Sequence, residues 1–386
     1  MDVFKRLFGL ALFSMLAACG GSKSPDTVLS KSSSTVCASS RIESRFIVEW
    51  EDGRVSVEEA PDADAFKRDF LAAHLQDIRR AEYDHVITLQ QPVAITPQVT
   101  PSEDWGQSIV EAQSLWDEGI QGQGVLVGVV DSRVDVTHPQ LINNALPGQS
   151  FISYDDSNQK MSSHGTHVSG IIAADPARGP VKGLAPRAKI LPAPFIANNG
   201  SGSMGDAIKA LQYAASQGVK IINASWGGIL SCNETLGQVF AQLSQQGILL
   251  MVAAGNDGQD IDRSPIYPAA YRIPNQLTIA ASTPLDFLAS WSNSGFNNVH
   301  LAAPGAGIFS TIPGGTGLMD GTSMATPFVS GAAALLWSAK PQATAGQIRQ
   351  ALWSSVTVTP NHEYRVATQG RLNVRRAWQT LQSLVP

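Results

Sequence analysis

Five short, almost unbroken apolar runs punctuate the middle of this chain. The first, Gly124 to Asp131, reads GVLVGVVD and ends on a carboxylate. The others are KIL at 189–191, KIIN at 220–223, ILLMVA at 248–253 and QLTIA at 276–280. Runs this short and rich in β-branched residues leave no polar face for water, so they suit parallel strands covered on both sides. Segments with helical character lie between and after them, at 164–174, 204–217, 233–246, 323–339 and 344–355, and Val374–Leu384 closes the chain. Strand alternating with helix predicts an α/β domain, a parallel sheet sandwiched between helices on both faces. Ligands in such folds gather beyond the carboxyl ends of the strands.

The first hundred residues are organised differently. RFIVEW at 45–50 reads as a strand followed by a turn at 51–53. Residues 61–82 read as a helix, with Ala65, Phe66, Phe70, Leu71, Leu75 and Ile78 at three-to-four spacing. HVITLQ at 85–90 reads as a second strand. Pro92, Pro97 and Pro101 then interrupt regular structure. The expected division is a small α+β unit over 41–92, a linker over 93–111 and the large domain over 112–386.

The extreme N-terminus carries an address rather than a fold. Lys5 and Arg6 precede an apolar run, Leu7–Ala18, too short to span a bilayer comfortably. It ends LAAC at 16–19, which resembles a bacterial lipobox. That resemblance implies a signal peptide over 1–18, a lipid on Cys19, a polar tether over 19–40 and a membrane as partner. A plain signal peptide also ends on small residues. Asp is absent just after Cys19, which fits export to an outer membrane, so the expected location is the cell envelope. An exported chain permits a disulfide between Cys37 and Cys232; free buried cysteines are the alternative. Net charge is -5, from 27 basic and 32 acidic side chains, which gives no basic surface for nucleic acid.

Three dispersed residues carry the chemistry. Asp131 ends the first long run, His164 opens HGTHVSG, and Ser323 lies in DGTSMATP just before an Ala-rich helix. Acyl transfer needs these three groups together. A hydroxyl is a weak nucleophile until a base takes its proton, imidazole is the base suited to neutral pH, and a carboxylate orients the imidazole. Ser323 at a helix N-terminus would sit among outward-pointing N–H donors. Asn256, in AAGND at 253–257, could add an amide donor for an oxyanion. Plainer readings exist for each: a helix cap for Ser323, a turn residue for Asn256 and Asp131, and a two-histidine metal site for His164 with His167. No third ligand cluster accompanies the histidines.

The chain resembles the subtilase family of serine endopeptidases. The matching stretches are VVDSRVD at 129–135, HGTHVSG at 164–170, SWGG at 225–228, AAGN at 253–256 and GTSMATP at 321–327, in the family's order. The likeness covers about 112–380. It implies Asp131, His164 and Ser323 as the triad, Asn256 as oxyanion donor, and His167 as a structural residue. It implies polypeptide substrates, held as an added strand by Gly200, Ser201 and Gly202 and faced by Ser225, Trp226 and Gly227. A primary pocket is implied between 225–228 and 253–256, which include Gly228, Ala254 and Gly255, with Ile266 and the stretch Tyr267–Ala269 near its base, and Met204 and Trp226 shape a pocket three residues upstream. These linings are mostly apolar, so an apolar residue is expected at the cut position.

Residues 45–90 resemble the family's inhibitory propeptide, which makes the chain's own N-terminal segment a partner, cut between about Leu89 and Trp105. No cofactor is required for the chemistry. The loop at 174–179 is shorter than the one that often holds structural calcium in this family, whereas acidic clusters at 155–156 and 257–262 leave a calcium site open but unassigned. Arg133 replaces a usual glycine and either pairs with Asp135, lowers the Asp131 pKa or faces solvent. The competing function is a catalytically silent envelope lipoprotein that keeps the fold. An esterase of different fold would need a GxSxG elbow, and Ser323 has none.

Overall fold

The structure, a computed structural model, describes residues 23–29, 40–89, 102–153, 160–228 and 234–386. The first strand of the large domain is β4 (Leu126–Val129), following β1 (Arg41–Trp50), β2 (Val55–Glu59) and β3 (Ile78–Thr88) of the N-terminal unit. Next come β5 (Lys189–Pro192), β6 (Ser201–Ser203), β7 (Ile221–Ala224), β8 (Leu249–Ala253), β9 (Gln276–Ser282) and β10 (Leu301–Pro304). The hairpin β11 (Ile308–Ile312) and β12 (Gly315–Met319) precedes the short β13 (Thr357–Val358) and β14 (Gly370–Arg371). The longer helices are α1 (His164–Ala173), α2 (Met204–Ser216), α3 (Glu234–Gln245), α4 (Thr322–Ala339), α5 (Ala345–Ser354) and α6 (Val374–Leu384).

The main sheet has eight strands in the order β13-β14-β10-β9-β8-β7-β4-β5. Every pairing is parallel except the edge pair β13–β14. Alternation along the strands divides their side chains between two cores. Val127, Val129, Ile221, Leu249 and Met251 join the core of α1, α4, α5 and α6. Val130, Ile222, Leu250 and Val252 join that of α2 and α3. This is the expected layering, and it explains why the strand runs lack a polar face. Helix α4 is buried from Thr322 to Trp337, as expected of a helix apolar on all sides.

The N-terminal unit is an antiparallel sheet, β2-β1-β3, under a helical segment at 63–74 in which Phe66 stacks on Phe46 at 4.0 Å. The expected helix over 61–82 is too long. Residues 75–77 turn, and Ile78–Glu82 belong to β3, where Ile78 and Ala81 pair with Trp50 and Val48. Ladder bonds to β1 outweigh the local helical spacing. Trp105–Ile109, placed in the linker by sequence, is a short helix whose Trp105 packs into the main core. The strands and hairpin at 301–319 lacked a strong run and were not anticipated.

β3 joins the two units. Its Glu82 accepts the N–H groups of Glu234 and Thr235 at the start of α3, and Asp84 accepts that of Gly205 at the start of α2. Each carboxylate thus meets orphan donors and the positive end of a helix dipole.

The loop at 174–183 closes around one side chain. Buried Gln140 donates through Nε2 to Asp175 O (3.0 Å) and Val181 O (2.7 Å), and its Oε1 accepts from Val181 N at 3.2 Å. Gln140→Ala leaves these backbone groups unpaired inside the protein, at a cost of about 2–3 kcal/mol. The melting temperature is expected to drop by roughly 3–5 °C, read by calorimetry.

Candidate active site

Asp131 comes two residues after β4 ends and is fully buried. Its Oδ1 accepts the Ser132 N–H at 2.6 Å and faces His164 Nδ1 at 2.7 Å. Oδ2 has no hydrogen-bond partner among the described residues. A carboxylate in that position places the ring proton on Nδ1 and leaves Nε2 as the acceptor. His164 is the first residue of α1, and the neighbouring Gly165 N–H donates to Ser132 Oγ at 3.0 Å. A Cβ on Gly165 would stand 2.3 Å from Ser132 O, so only glycine lets the helix start this close to the strand end.

Ser323 is the second residue of α4. Its Oγ donates to Ser225 O at 2.9 Å, and among the described residues it makes no hydrogen bond to His164. The serine backbone is tied to the same neighbour, because Ser225 Oγ donates to Ser323 O at 2.9 Å. Pro327 explains that bond. It lies inside α4 rather than at its first turn, and lacking an N–H it leaves the carbonyl four residues back, Ser323 O, without a helical donor. Asn223 Nδ2 in turn donates to Ser225 Oγ at 2.9 Å.

Asn256 sits three residues past β8, and its Oδ1 accepts both the N–H and the hydroxyl of Thr322 at 2.9 Å. Thr322 Oγ1 also receives the Gly255 N–H at 3.0 Å. The oxygen of the Asn256 amide is thus the end bonded to the first residue of α4, and its Nδ2 lies 3.7 Å from where a Cβ on Gly321 would be. Sequence reasoning missed Thr322 as the residue that orients Asn256. Its position beside Ser323 in the GTS motif was the available signal.

Gly200–Gly202 form the edge β6 and its start, with Met204 buried behind. Trp226 donates its indole N–H to Val130 O at 2.9 Å and meets Phe195 edge-on at 5.0 Å. Gly227 and Gly228 lie against Tyr267, whose backbone exchanges two hydrogen bonds with Gly228 at 3.0 and 3.1 Å. Ala254 and Ile266 are buried, and Gly255 takes a left-handed φ of 96°.

His167 points away, with Nε2 bonded to Ile308 O (3.0 Å) and Gly317 O (3.2 Å), and burial pushes its pKa down to about 3. It is a neutral structural residue. Asp135 is engaged by Thr137 and Gly314, and no ion pair joins it to Arg133 among the described residues. In the 257–262 cluster, Asp262 is taken by Asn297 and Asn298 and Asp260 by Arg263. Among the described residues no group of three His, Cys, Asp or Glu side chains is placed to share a metal ion. Cys19, Cys37, Cys232, Asp155 and Asp156 lie outside the described residues.

The structure thus holds a buried Asp–His pair between the end of β4 and the start of α1, and a serine at the start of α4, on a parallel sheet covered by helices. Residues 122–373 match the model of the subtilase family, peptidase S8. Subtilisin E of Bacillus subtilis (strain 168) is 33% identical over 380 residues, covering 97% of this chain and 96% of that protein. Subtilisin J of Geobacillus stearothermophilus is 36% identical over 305 residues, 78% of each. Subtilisin of Bacillus pumilus is 38% identical over 281 residues, 72% of this chain and 99% of that protein. The chain belongs to the subtilase family and is a serine endopeptidase.

Proposed function

We propose that Asp131, His164 and Ser323 act as a catalytic triad with Asn256 as oxyanion donor. The observation that carries this is the 2.7 Å contact of buried Asp131 with His164 Nδ1, which leaves Nε2 to serve as base. For reaction the Ser323 hydroxyl leaves Ser225 O and turns to that nitrogen. Oγ attacks the peptide carbonyl as Nε2 takes its proton. The resulting oxyanion is held by Asn256 Nδ2 and the Ser323 N–H. His164 then protonates the leaving amine, and water hydrolyses the acyl-enzyme by the same steps. No cofactor enters this chemistry, and calcium remains unassigned.

Asn256→Ala is expected to lower kcat by about 10²-fold or more with little change in KM, because the donor acts on charge that develops in the transition state. Steady-state kinetics on a peptide anilide reads both constants. The apolar walls formed by Gly228, Ala254 and Ile266 favour apolar side chains at the cut position. A peptide library cleaved mainly after Lys or Arg contradicts that preference.

Residues 41–89 act in this reading as an inhibitory leader that the enzyme removes from itself. The cleft contacts of β3 support it, since Val86–Thr88 pair with Ser203–Ser201. A lipid on Cys19 would hold the leader at an outer membrane in the cell envelope. Cutting would then release the catalytic domain unless a Cys37–Cys232 bond retains it. Radiolabelled palmitate on the leader but not on the mature domain is the expected pattern without that bond.

A further inference from the structure

Helix α4 carries Ser323 in a turn whose ladder is broken. Pro327 supplies no N–H for Ser323 O, so the turn lacks a bond that an ordinary helix has. A circuit of side chains takes its place. Ser330, further along α4, donates through Oγ to Asn223 Oδ1 on β7 at 2.8 Å. Asn223 Nδ2 donates to Ser225 Oγ at 2.9 Å, and Ser225 Oγ donates to Ser323 O at 2.9 Å. The path leaves the helix at Ser330 and returns to it at Ser323. Asn223, Ser225 and Ser330 are fully buried, so bulk water does not compete for these bonds.

The far end of the circuit sets the direction of every bond. Ser323 O can only accept, so the Ser225 hydroxyl must donate to it. The end of the Asn223 amide that faces Ser225 must then be its amino group. That turns the amide oxygen to Ser330 and makes the Ser330 hydroxyl a donor. Ser330 is thus the group that holds the amide this way round. After a flip, the amide oxygen would draw the Ser225 proton away from Ser323 O. Asn223 also accepts the Val130 N–H through its backbone oxygen at 3.2 Å, one residue before Asp131. One strand residue therefore ties the serine's turn to the chain that presents the Asp–His pair.

We infer that Ser330 and Asn223 are positioning residues for the Ser323 nucleophile, acting on it through the Ser225 hydroxyl. This rests on the triad reading above. The relay touches neither substrate nor the reacting atoms. It fixes where the first turn of α4 stands, and with it the Ser323 Oγ and N–H, relative to His164. Its loss therefore falls on the chemical step and spares substrate binding.

The test is a double-mutant cycle on the self-matured full chain, read as kcat and KM on a peptide anilide. Ser225→Ala is expected to lower kcat about tenfold and Ser330→Ala about threefold, with KM within about twofold in both. In the Ser225→Ala background, Ser330→Ala is expected to change kcat no further. Pro327→Ala restores an N–H opposite Ser323 O, and in that background Ser225→Ala is expected to cost at most about threefold. Losses that multiply, an effect confined to KM, or an undiminished cost of Ser225→Ala beside Pro327→Ala overturns the inference. Each single variant at 225 and 330 deletes one oxygen atom; a variant that fails to fold assigns the relay to stability and overturns it as well. Multiplying losses in an enzyme that a fluorophosphonate labels at Ser323 refute this inference alone, whereas wild-type turnover in Ser323→Ala sinks the triad reading with it.

Discussion

Ser323→Ala is expected to lower kcat for peptide hydrolysis by about 10⁶-fold, the scale seen when the corresponding serine of subtilisin is removed. In the proposed mechanism the loss is this large because the hydroxyl is the group that forms the covalent bond, and neither His164 nor Asn256 can replace it. What remains is the activity of a site that still binds substrate and polarises its carbonyl for attack by water. The substitution is small, and the hydrogen bond lost, Ser323 Oγ to Ser225 O, leaves an acceptor rather than a charge. Folding should survive, and the chain should accumulate at full length when self-cleavage is in cis. Gel mobility and steady-state hydrolysis of a peptide anilide give both readouts, and a variant that retains wild-type turnover refutes the nucleophile.

Arg45→Met is expected to weaken attachment of the N-terminal unit by about 3–5 kcal/mol. Arg45 lies on β1 but donates to Asp206 of α2 through Nη2 at 2.7 Å and through Nη1 at 3.3 Å, and to Ser153 at 2.6 Å. Its Nε also lies 3.4 Å from Asp84 Oδ2. The side chains of Arg45, Asp84 and Asp206 are 8%, 0% and 3% exposed, so the three charges share little water. Methionine fills a similar volume and leaves two carboxylates facing each other with no cation between them. In the Ser323→Ala background, denaturant unfolding should then separate into an early loss of the N-terminal unit and a later loss of the large domain. A midpoint and cooperativity equal to the parent contradict this role for the arginine.

The sequence displayed the large domain because its strands are buried on both faces. Five apolar runs could be read without knowing their order, and the helices between them kept their period. The site was legible for a related reason. Asp131, His164 and Asn256 stand at or just past element boundaries, where a buried run gives way to a polar residue, and Ser323 is the second residue of α4, the longest helix among the described residues. Other features depend on partners far away in sequence. Ile78 and Ala81 fit helical spacing until β1 competes for them, so the helix was drawn too long. The strands at 301–319 are short, and β10 takes its place from the ladder with β9. Nothing in the sequence around Gln140 marks it, and its role appears only when the loop at 174–183 folds over it. The tie between Ser225 Oγ and Ser323 O was likewise hidden, since it arises from an N–H that Pro327 does not have.

The central claim is that His164, oriented by Asp131, makes Ser323 the reactive alcohol of this chain. Fluorophosphonate labelling of the mature protein near pH 8, followed by mass mapping of the adduct, tests it most directly. The account predicts one adduct, on Ser323, forming at least about 10³-fold more slowly after His164→Ala. An adduct on another residue, or labelling of Ser323 at an undiminished rate without the imidazole, contradicts it.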